Sequence, residues 1–489
     1  MSDSKPKKNR LLSRNAIALL QLLLAALIVI CIALSLPTCA PKNDLSRAKT
    51  LSLSEYTQNL LTSEKVQSQS IQLTCLASQS TPFFGRISYI LKEYQRISNG
   101  KISITFIDPL NHPEQAFPVI ERYNLQPTED LLILDKGDPK KAAVIAFSDL
   151  MQFEVTNTKQ RKLSAYITED VVSTTLLALI EDSFKTVYLL SNNTQASNLI
   201  QGGIGDSLSA LYRNQNINLA PLNLSKAQRI PENASGIVIL TPQYDLEPRE
   251  IQILLNYWNT PKAALHVILD PKFRPKRLLA FLRQHGINPR NDRVFSRDSE
   301  KLATKTIANF TQGPQLNGSL QVKSTLFDGI SSSLDVRESA DEFISKRITP
   351  IALVQASESF YSEVRYSDPS PSFDEKEDVQ SPIYLAAAVI KGNEMNDSTA
   401  DSSSRMVVLS NKDFLNTKTI RDEQIDFVKN SINWLVGRPE LIGIGPKPLQ
   451  KYKLNLITAE VSFVNRLTLI ILPASFLLIS ILLWSIRRH

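Results

Sequence analysis

An α/β protein tethered to a membrane at both of its ends is the fold class this sequence predicts, and three observations predict it. An apolar run at residues 16–36 lies near the N-terminus, and a second, at 467–486, lies almost at the C-terminus. About 20 apolar residues in a helix cross the ~30 Å hydrocarbon core of a bilayer. Between the runs, short apolar strand patterns alternate with helical patterns, as in sheets whose strands are joined by helices.

The flanks give the orientation. Lys5, Lys7, Lys8, Arg10 and Arg14 precede the first run against Asp3 alone, and Arg487, Arg488 and His489 follow the second. Cations beside a span mark its cytoplasmic side. Both tips are therefore expected in the cytoplasm and the central region outside it. The tips carry most of the formal net charge of +7, so the central region is near neutral and offers no footprint for nucleic acid. The first run is longer than a signal-peptide core, which favours an uncleaved anchor. Cleavage at Cys39 or Ala40, after Leu36-Pro37-Thr38, is the alternative. Cys31, Cys39 and Cys75 make no disulfide framework, and Cys75 reads as a small buried apolar residue on a strand.

The exported region opens with a short strand and a helix start in residues 50–61, with Ser54 as N-cap. Residues 66–77 are strand-like. Phe83, Ile87, Ile90, Leu91, Tyr94 and Ile97 recur at helical spacing, and Asn99-Gly100 ends that helix. A strand at 101–107 stops at Asp108-Pro109. A helix at 113–123 follows, then strands at 131–134 and 142–147 around Lys136-Gly137-Asp138-Pro139. This β-α-β-α-β-β order is thioredoxin-like. Redox chemistry on such a fold needs Cys-x-x-Cys at the first helix, where this chain has Ser78-Gln79-Ser80-Thr81-Pro82, so a scaffold is expected.

A helix at 167–181, with Thr168 as expected N-cap, leads to a new alternation. Strands at 186–190, 217–219, 236–240 and 264–269 alternate with helices at 204–213 and 247–258. Their near-continuous apolar strands predict a parallel sheet covered on both faces. Apolar strands resume at 383–390 and 406–409, and a last helix is expected at 422–435. Polar stretches at 358–382, which includes Asp374-Glu375-Lys376-Glu377-Asp378, and at 391–404 read as mobile loops. Gly443-Ile444-Gly445-Pro446-Lys447-Pro448 reads as a linker back to the membrane.

Chemistry is conspicuous by its gaps. There is no Gly-x-x-x-x-Gly-Lys-Ser/Thr loop and no Gly-x-Ser-x-Gly elbow. Gly202-Gly203-Ile204-Gly205 opens a helix, but a dinucleotide fingerprint would want a glycine where Leu208 stands. His112, His266, His285 and His489 have no ligand spacing among them. Asp108-Pro109 and Asp270-Pro271 each close a strand, a position that suits catalytic carboxylates as well as simple turns; turns are the favoured reading. No catalytic, cofactor-binding or metal-ligating residue is assigned, and no cofactor is expected.

Several pieces in order give the chain a family likeness. They are Leu53-Ser54-Glu55-Tyr56-Thr57 with Leu60-Leu61, Ile104-Thr105-Phe106-Ile107-Asp108-Pro109, Ile167-Thr168-Glu169-Asp170 leading to Leu176-Leu177, and Val187-Tyr188-Leu189-Leu190. Later come Ile237-Val238-Ile239-Leu240-Thr241-Pro242, Leu269-Asp270-Pro271, Val407-Val408-Leu409-Ser410-Asn411-Lys412-Asp413-Phe414 and Asn430-Ser431-Ile432-Asn433-Trp434-Leu435. In this order, with two terminal runs, the chain resembles the GldG-like family of ABC-transporter auxiliary subunits, first associated with gliding motility. The resemblance implies a second domain like a glutamine amidotransferase without its catalytic cysteine. It also implies an ABC ATPase subunit and a multi-span permease as partners in the bacterial cytoplasmic membrane. Two places depart from the family. Ser191-Asn192-Asn193-Thr194 stands where the family often has Gly-His-Gly-Glu, and Thr260-Pro261-Lys262-Ala263 where it often has Gly-Gly.

The expected layout is a basic tip (1–15), a span (16–36), a thioredoxin-like domain (37–165) and an amidotransferase-like domain (166–440), both extracytoplasmic. A linker (441–466), a second span (467–486) and a tip (487–489) complete it. The expected function is a non-catalytic transporter subunit, not an enzyme, contacting lipid bilayer but no nucleic acid, with its cargo unspecified. A cell-envelope hydrolase and a structural scaffold of a motility or secretion apparatus are the alternatives.

Overall fold

The computed structural model describes residues 52–81, 83–126, 129–155, 161–181, 185–194, 203–321, 323–338, 340–392, 403–416, 418–442 and 447–448, with 469–470, 473–475 and 480 beyond. The predicted first span, and most of the second, lie outside the described residues. Among the described residues no helix is long and apolar enough to cross a membrane.

The first unit follows the predicted succession. Helix α1 (Glu55–Thr62) is capped by the Ser54 hydroxyl, which accepts from the Thr57 amide at 3.2 Å. Then come β1 (Ile71–Leu76), α2 (Phe84–Ile97), β2 (Ile102–Ile107), α3 (Pro113–Arg122), β3 (Leu131–Asp135) and β4 (Ala143–Ala146). The sheet order is β2-β1-β3-β4, with β1 parallel to β2 and antiparallel to β3. Residues 52–54 form no strand, and Val66 sits in a helical turn rather than in β1, whose register against β2 begins at Ile71. Asn99 and Gly100, at φ 53° and 79°, end α2 in the left-handed region.

A hairpin of β5 (Met151–Val155) and β6 (Arg161–Tyr166) leads to α4 (Thr168–Glu181). Thr168 is the first helical residue, and its hydroxyl donates to the Leu150 carbonyl at 3.3 Å instead of capping the helix. The apolar side of α4, Val172, Leu176 and Leu177, is buried with Leu60, Leu61, Ile87 and Leu91 in one core. Residues 168–181 therefore complete the first unit.

The second unit carries β7 (Lys185–Leu190), α5 (Ile204–Asn214), β8 (Ile217–Leu222), β9 (Ala234–Leu240), α6 (Pro248–Trp258), β10 (Ala264–Ile268) and α7 (Lys276–Gln284). Short strands follow: β11 (Ile287–Pro289), β12 (Arg293–Ser296), β13 (Lys301–Leu302), β14 (Lys305–Phe310), β15 (Ser324–Asp328) and β16 (Leu334–Val336). It closes with β17 (Ile348–Ala356), β18 (Phe360–Glu363), β19 (Tyr384–Lys391), β20 (Ser404–Leu409) and α8 (Asp422–Leu435).

The main sheet runs β15-β14-β17-β19-β20-β10-β9-β7-β8. The half from β20 to β8 is parallel, as expected, but β19, β17, β14 and β15 run antiparallel. The sheet is thus mixed rather than parallel. Helical crossovers make parallel neighbours, whereas the connections between β14 and β15 and between β17 and β19 contain no crossover helix. Both faces are covered. Val238 and Leu240 of β9 join α5 and α8 in one core, while Ile237 and Ile239 join α6 and α7 in another. This is why β9 reads as continuously apolar.

The acidic stretch expected as a mobile loop is tied down. Arg365 grips Glu377 through two hydrogen bonds of 2.8 and 2.6 Å. The Asp378 carboxylate accepts from the amides of Val364 and Asp374. Of the second polar stretch, residues 393–402 lie outside the described residues.

After α8 the chain returns to the first unit. Leu441 is buried in the first core beside α1 and α4, and β21 (Lys447–Pro448), in the expected linker, pairs with β6 at Tyr166 and Ala165. The junction between units is ionic. Lys429 of α8 is paired with Asp170 of α4, and Arg438 donates to the Glu181 carboxylate at 2.6 Å and to the Gln215 carbonyl at 2.7 Å. Burial works against the Lys429 ammonium, but Asp170 holds its pKa above the ordinary lysine value. Burial likewise pushes neighbouring Asp426 up to about 6, against the pull of Lys323 at 3.7 Å and Lys429.

Leu441→Ala is expected to cost about 2–5 kcal/mol, as buried Leu truncations do. In hydrogen exchange the loss should fall on residues 55–62 and 168–181 and spare 234–240. Unchanged protection at 55–62 would contradict the placement of Leu441 in the first core.

Candidate functional site

Two places in this architecture are where chemistry would be sought. The first is the turn between β1 and α2. Asp108, 3% exposed, closes β2 and receives four N–H groups: the Gln79 amide at 3.0 Å, the Leu110 and Asn111 amides at 3.0 and 3.3 Å, and the Asn111 side chain at 2.9 Å. These bonds, the Gln79 amide foremost, hold its carboxyl below the ordinary aspartate value. Asp130 accepts in the same turn from the Ser78 amide at 3.2 Å and the Thr81 hydroxyl at 2.8 Å. Both carboxylates organise the loop. Cys75 is buried, and burial, then Asp130, push its thiol up to about 12. A thiol so placed is no nucleophile at neutral pH.

The second place is the carboxyl edge of the parallel strands. Chain order reverses between β7 and β9, which lead to neighbours on opposite sides, and the crevice at such a switch point is where open α/β sheets bind ligands. Here the chain's own residues bridge the strand ends. The Thr194 hydroxyl lies 3.1 Å from the Leu190 carbonyl and 2.7 Å from the Leu240 carbonyl, at the ends of β7 and β9. Thr194 also bridges Pro242, and the Asn193 carbonyl accepts from the amides of Gln243 and Tyr244. Asn192 donates to the Glu250 carboxylate at 2.8 Å. The segment Ser191–Thr194, where the family resemblance would place His and Glu, is thus a structural staple.

Asp270 closes β10 on the same edge. It is 5% exposed, accepts from the Lys272 amide at 3.0 Å and pairs with Lys412 at 2.9 Å. Next to it, burial and then Asp270 and Asp328 push the Asp413 carboxyl above its ordinary value, against Lys412 and Lys272. That carboxylate lies over Gly329, at φ 80°, where an added Cβ would meet its Oδ2 at 2.1 Å. Thr241, fully buried, has φ 42°, a strained conformation for a β-branched residue, and its amide donates to the Ile268 carbonyl at 2.7 Å. Thr194, Thr241, Lys412 and Asp413 were legible only as members of family-like or divergent segments; their structural roles escaped sequence reasoning.

The histidines are dispersed. His266 is buried with Nδ1 3.1 Å from the Tyr212 hydroxyl, and His285 is buried with Nδ1 2.7 Å from the Phe281 carbonyl. Burial lowers each to about 4. His112 is exposed beside Glu114, and His489 lies outside the described residues. Gly203 precedes α5, while Gly202 lies outside the described residues. Among the described residues no group of three or more His, Cys, Asp or Glu is placed to hold a metal ion.

A family model described as "Domain of unknown function (DUF7088)" matches residues 47–151, most of the first unit. No curated protein matches the chain in sequence. Among solved structures, the mmIFT52 N-terminal domain is similar at 12% identity and TM-score 0.36, over 51% of this chain and 96% of that one. A ThuA-like protein from Bacteroides uniformis is similar at 9% identity and TM-score 0.31, over 52% and 91%. An exo-β-1,4-mannosidase from an Opitutaceae bacterium is similar at 10% identity and TM-score 0.27, over 72% and 49%.

If Asp270 is the counter-charge of a largely buried Lys412, Asp270→Asn should cost about 3–5 kcal/mol in chemical denaturation. The pair replacement Asp270→Leu with Lys412→Met should lie much closer to wild type. Equal stability of Asp270→Asn and wild type would show that the carboxylate is not held for structure.

Proposed function

We propose that this chain is a non-catalytic auxiliary subunit of an ABC-type transport system of the GldG-like kind. In this reading residues 16–36 and 467–486 are its two spans in a bacterial cytoplasmic membrane, with both termini cytoplasmic. The first unit is a thioredoxin-like scaffold and the second an amidotransferase-like one, both outside the membrane. Its partners are an ABC ATPase subunit and a multi-span permease, and its outer body binds cargo, gates an exit path or couples to envelope machinery.

The observation that carries the non-catalytic reading is the stapled crevice. Thr194 and the Asn193 backbone tie the ends of β7 and β9 together at the switch point where an α/β enzyme would seat its substrate. The return of the chain supports the two-anchor layout. Ser54, near the start of the described residues, joins the first unit through its amide bond to Glu169 at 2.7 Å, and β21 rejoins it by pairing with β6. Two anchors leaving one body fix its height above a bilayer and raise its effective concentration near partners there.

Tagged protein extracted from native membranes in mild detergent should co-purify with an ATP-binding cassette protein and a multi-span permease. Deleting residues 467–489 should abolish that recovery while leaving the outer body folded by circular dichroism. Recovery of the protein alone, folded and without partners, would overturn the reading.

A further inference from the structure

The opposite edge of the main sheet, at the amino ends of the parallel strands, carries a hollow. A cavity of about 550 Å³ lies between the starts of β7, β9 and β20, the turn after α6 and the C-terminus of α8. That is within the ~300–1,000 Å³ range of small-molecule sites. Lys185, Lys262 and Arg405 line it. The carboxylate on its wall, Glu232, is held 3.0 Å from Arg229.

Two of the cations have a visible structural task. Lys185 donates to the Val436 carbonyl and Arg405 to the Trp434 carbonyl, each at 2.6 Å, satisfying carbonyls that the end of α8 leaves without helical partners. Lys262 has none: it makes no hydrogen bond or ion pair among the described residues. It also occupies a left-handed backbone position, φ 64°, which a lysine adopts only at a cost. Tyr257, on the same wall, accepts from the Ala264 amide at 3.1 Å through its hydroxyl, which leaves its own hydrogen able to donate.

We propose that this cavity binds a small phosphate-bearing anion, with Lys262 as its principal recognition residue and Lys185 and Arg405 supplying the surrounding positive field. Phosphate oxygens suit this wall because ammonium, guanidinium and hydroxyl groups all donate to them. The position gives such a ligand leverage on the molecule. Lys185 opens the second unit and Val436–Gly437 lie at its close, so an occupant lies beside both ends of the inserted unit.

The test is calorimetric titration of the full chain in detergent micelles with sodium pyrophosphate, against sodium chloride of matched ionic strength. Wild type should bind pyrophosphate beyond the salt control. Lys262→Glu should weaken binding at least tenfold without changing the ligand-free melting temperature. Lys301→Glu, which removes an exposed lysine on β13 away from the cavity, should bind as wild type does. Should Lys262→Glu shift the melting temperature, Lys262→Gln takes its place with the same expected loss. No binding beyond the salt control, unchanged affinity in both Lys262 variants, or an equal loss in Lys301→Glu would each overturn the proposal.

Discussion

Helices α4 and α8 meet through charges that are mostly out of water, and the arrangement of the whole molecule depends on that contact. Asp170 with Lys429, and Glu181 with Arg438, join the closing helix of the first unit to the end of the second. The Arg438 side chain is 1% exposed. Buried ions of this kind cost desolvation, and each is tolerable only while its partner stays in place. The contact therefore does more to specify one relative placement of the units than to add stability. Arg438 also holds the Gln215 carbonyl, and Asn433 donates to the Gln215 side chain, so the end of α5 is drawn into the same junction.

This junction explains why a chain that leaves the first unit and later returns to it behaves as one body. The second unit is inserted between α4 and the turn that carries Leu441. Polar groups at the strand ends meanwhile serve structure. Asp108 and Asp130 organise the turn before α2, Cys75 is a buried thiol, and Thr194 ties the ends of β7 and β9.

Much of the fold was legible because it is local. The spacing of Ile87, Ile90, Leu91 and Tyr94 marks α2, and Asn99-Gly100 marks its end. The strand-closing roles of Asp108 and Asp270 were visible as Asp-Pro pairs. What was missed depends on distant partners. Strands β11 and β12 are short and take their pairing from β16 and β18, so neither shows a period of its own. Helix α7 was missed although Leu278, Leu279 and Leu282 lie on one side, because basic residues crowd its other positions. The return of Leu441 to the first core, the Asp270–Lys412 pair and the α4–α8 clasp join residues far apart in the chain. No local pattern announces them.

The most direct measurement of the central claim, that the ionic clasp makes the two units one body, is hydrogen exchange on the full chain with Lys429→Met and Arg438→Met combined. The account predicts that amides of residues 172–179 and 427–435 lose protection together and to a similar extent. Loss confined to residues 427–435, with 172–179 as protected as in wild type, would contradict it.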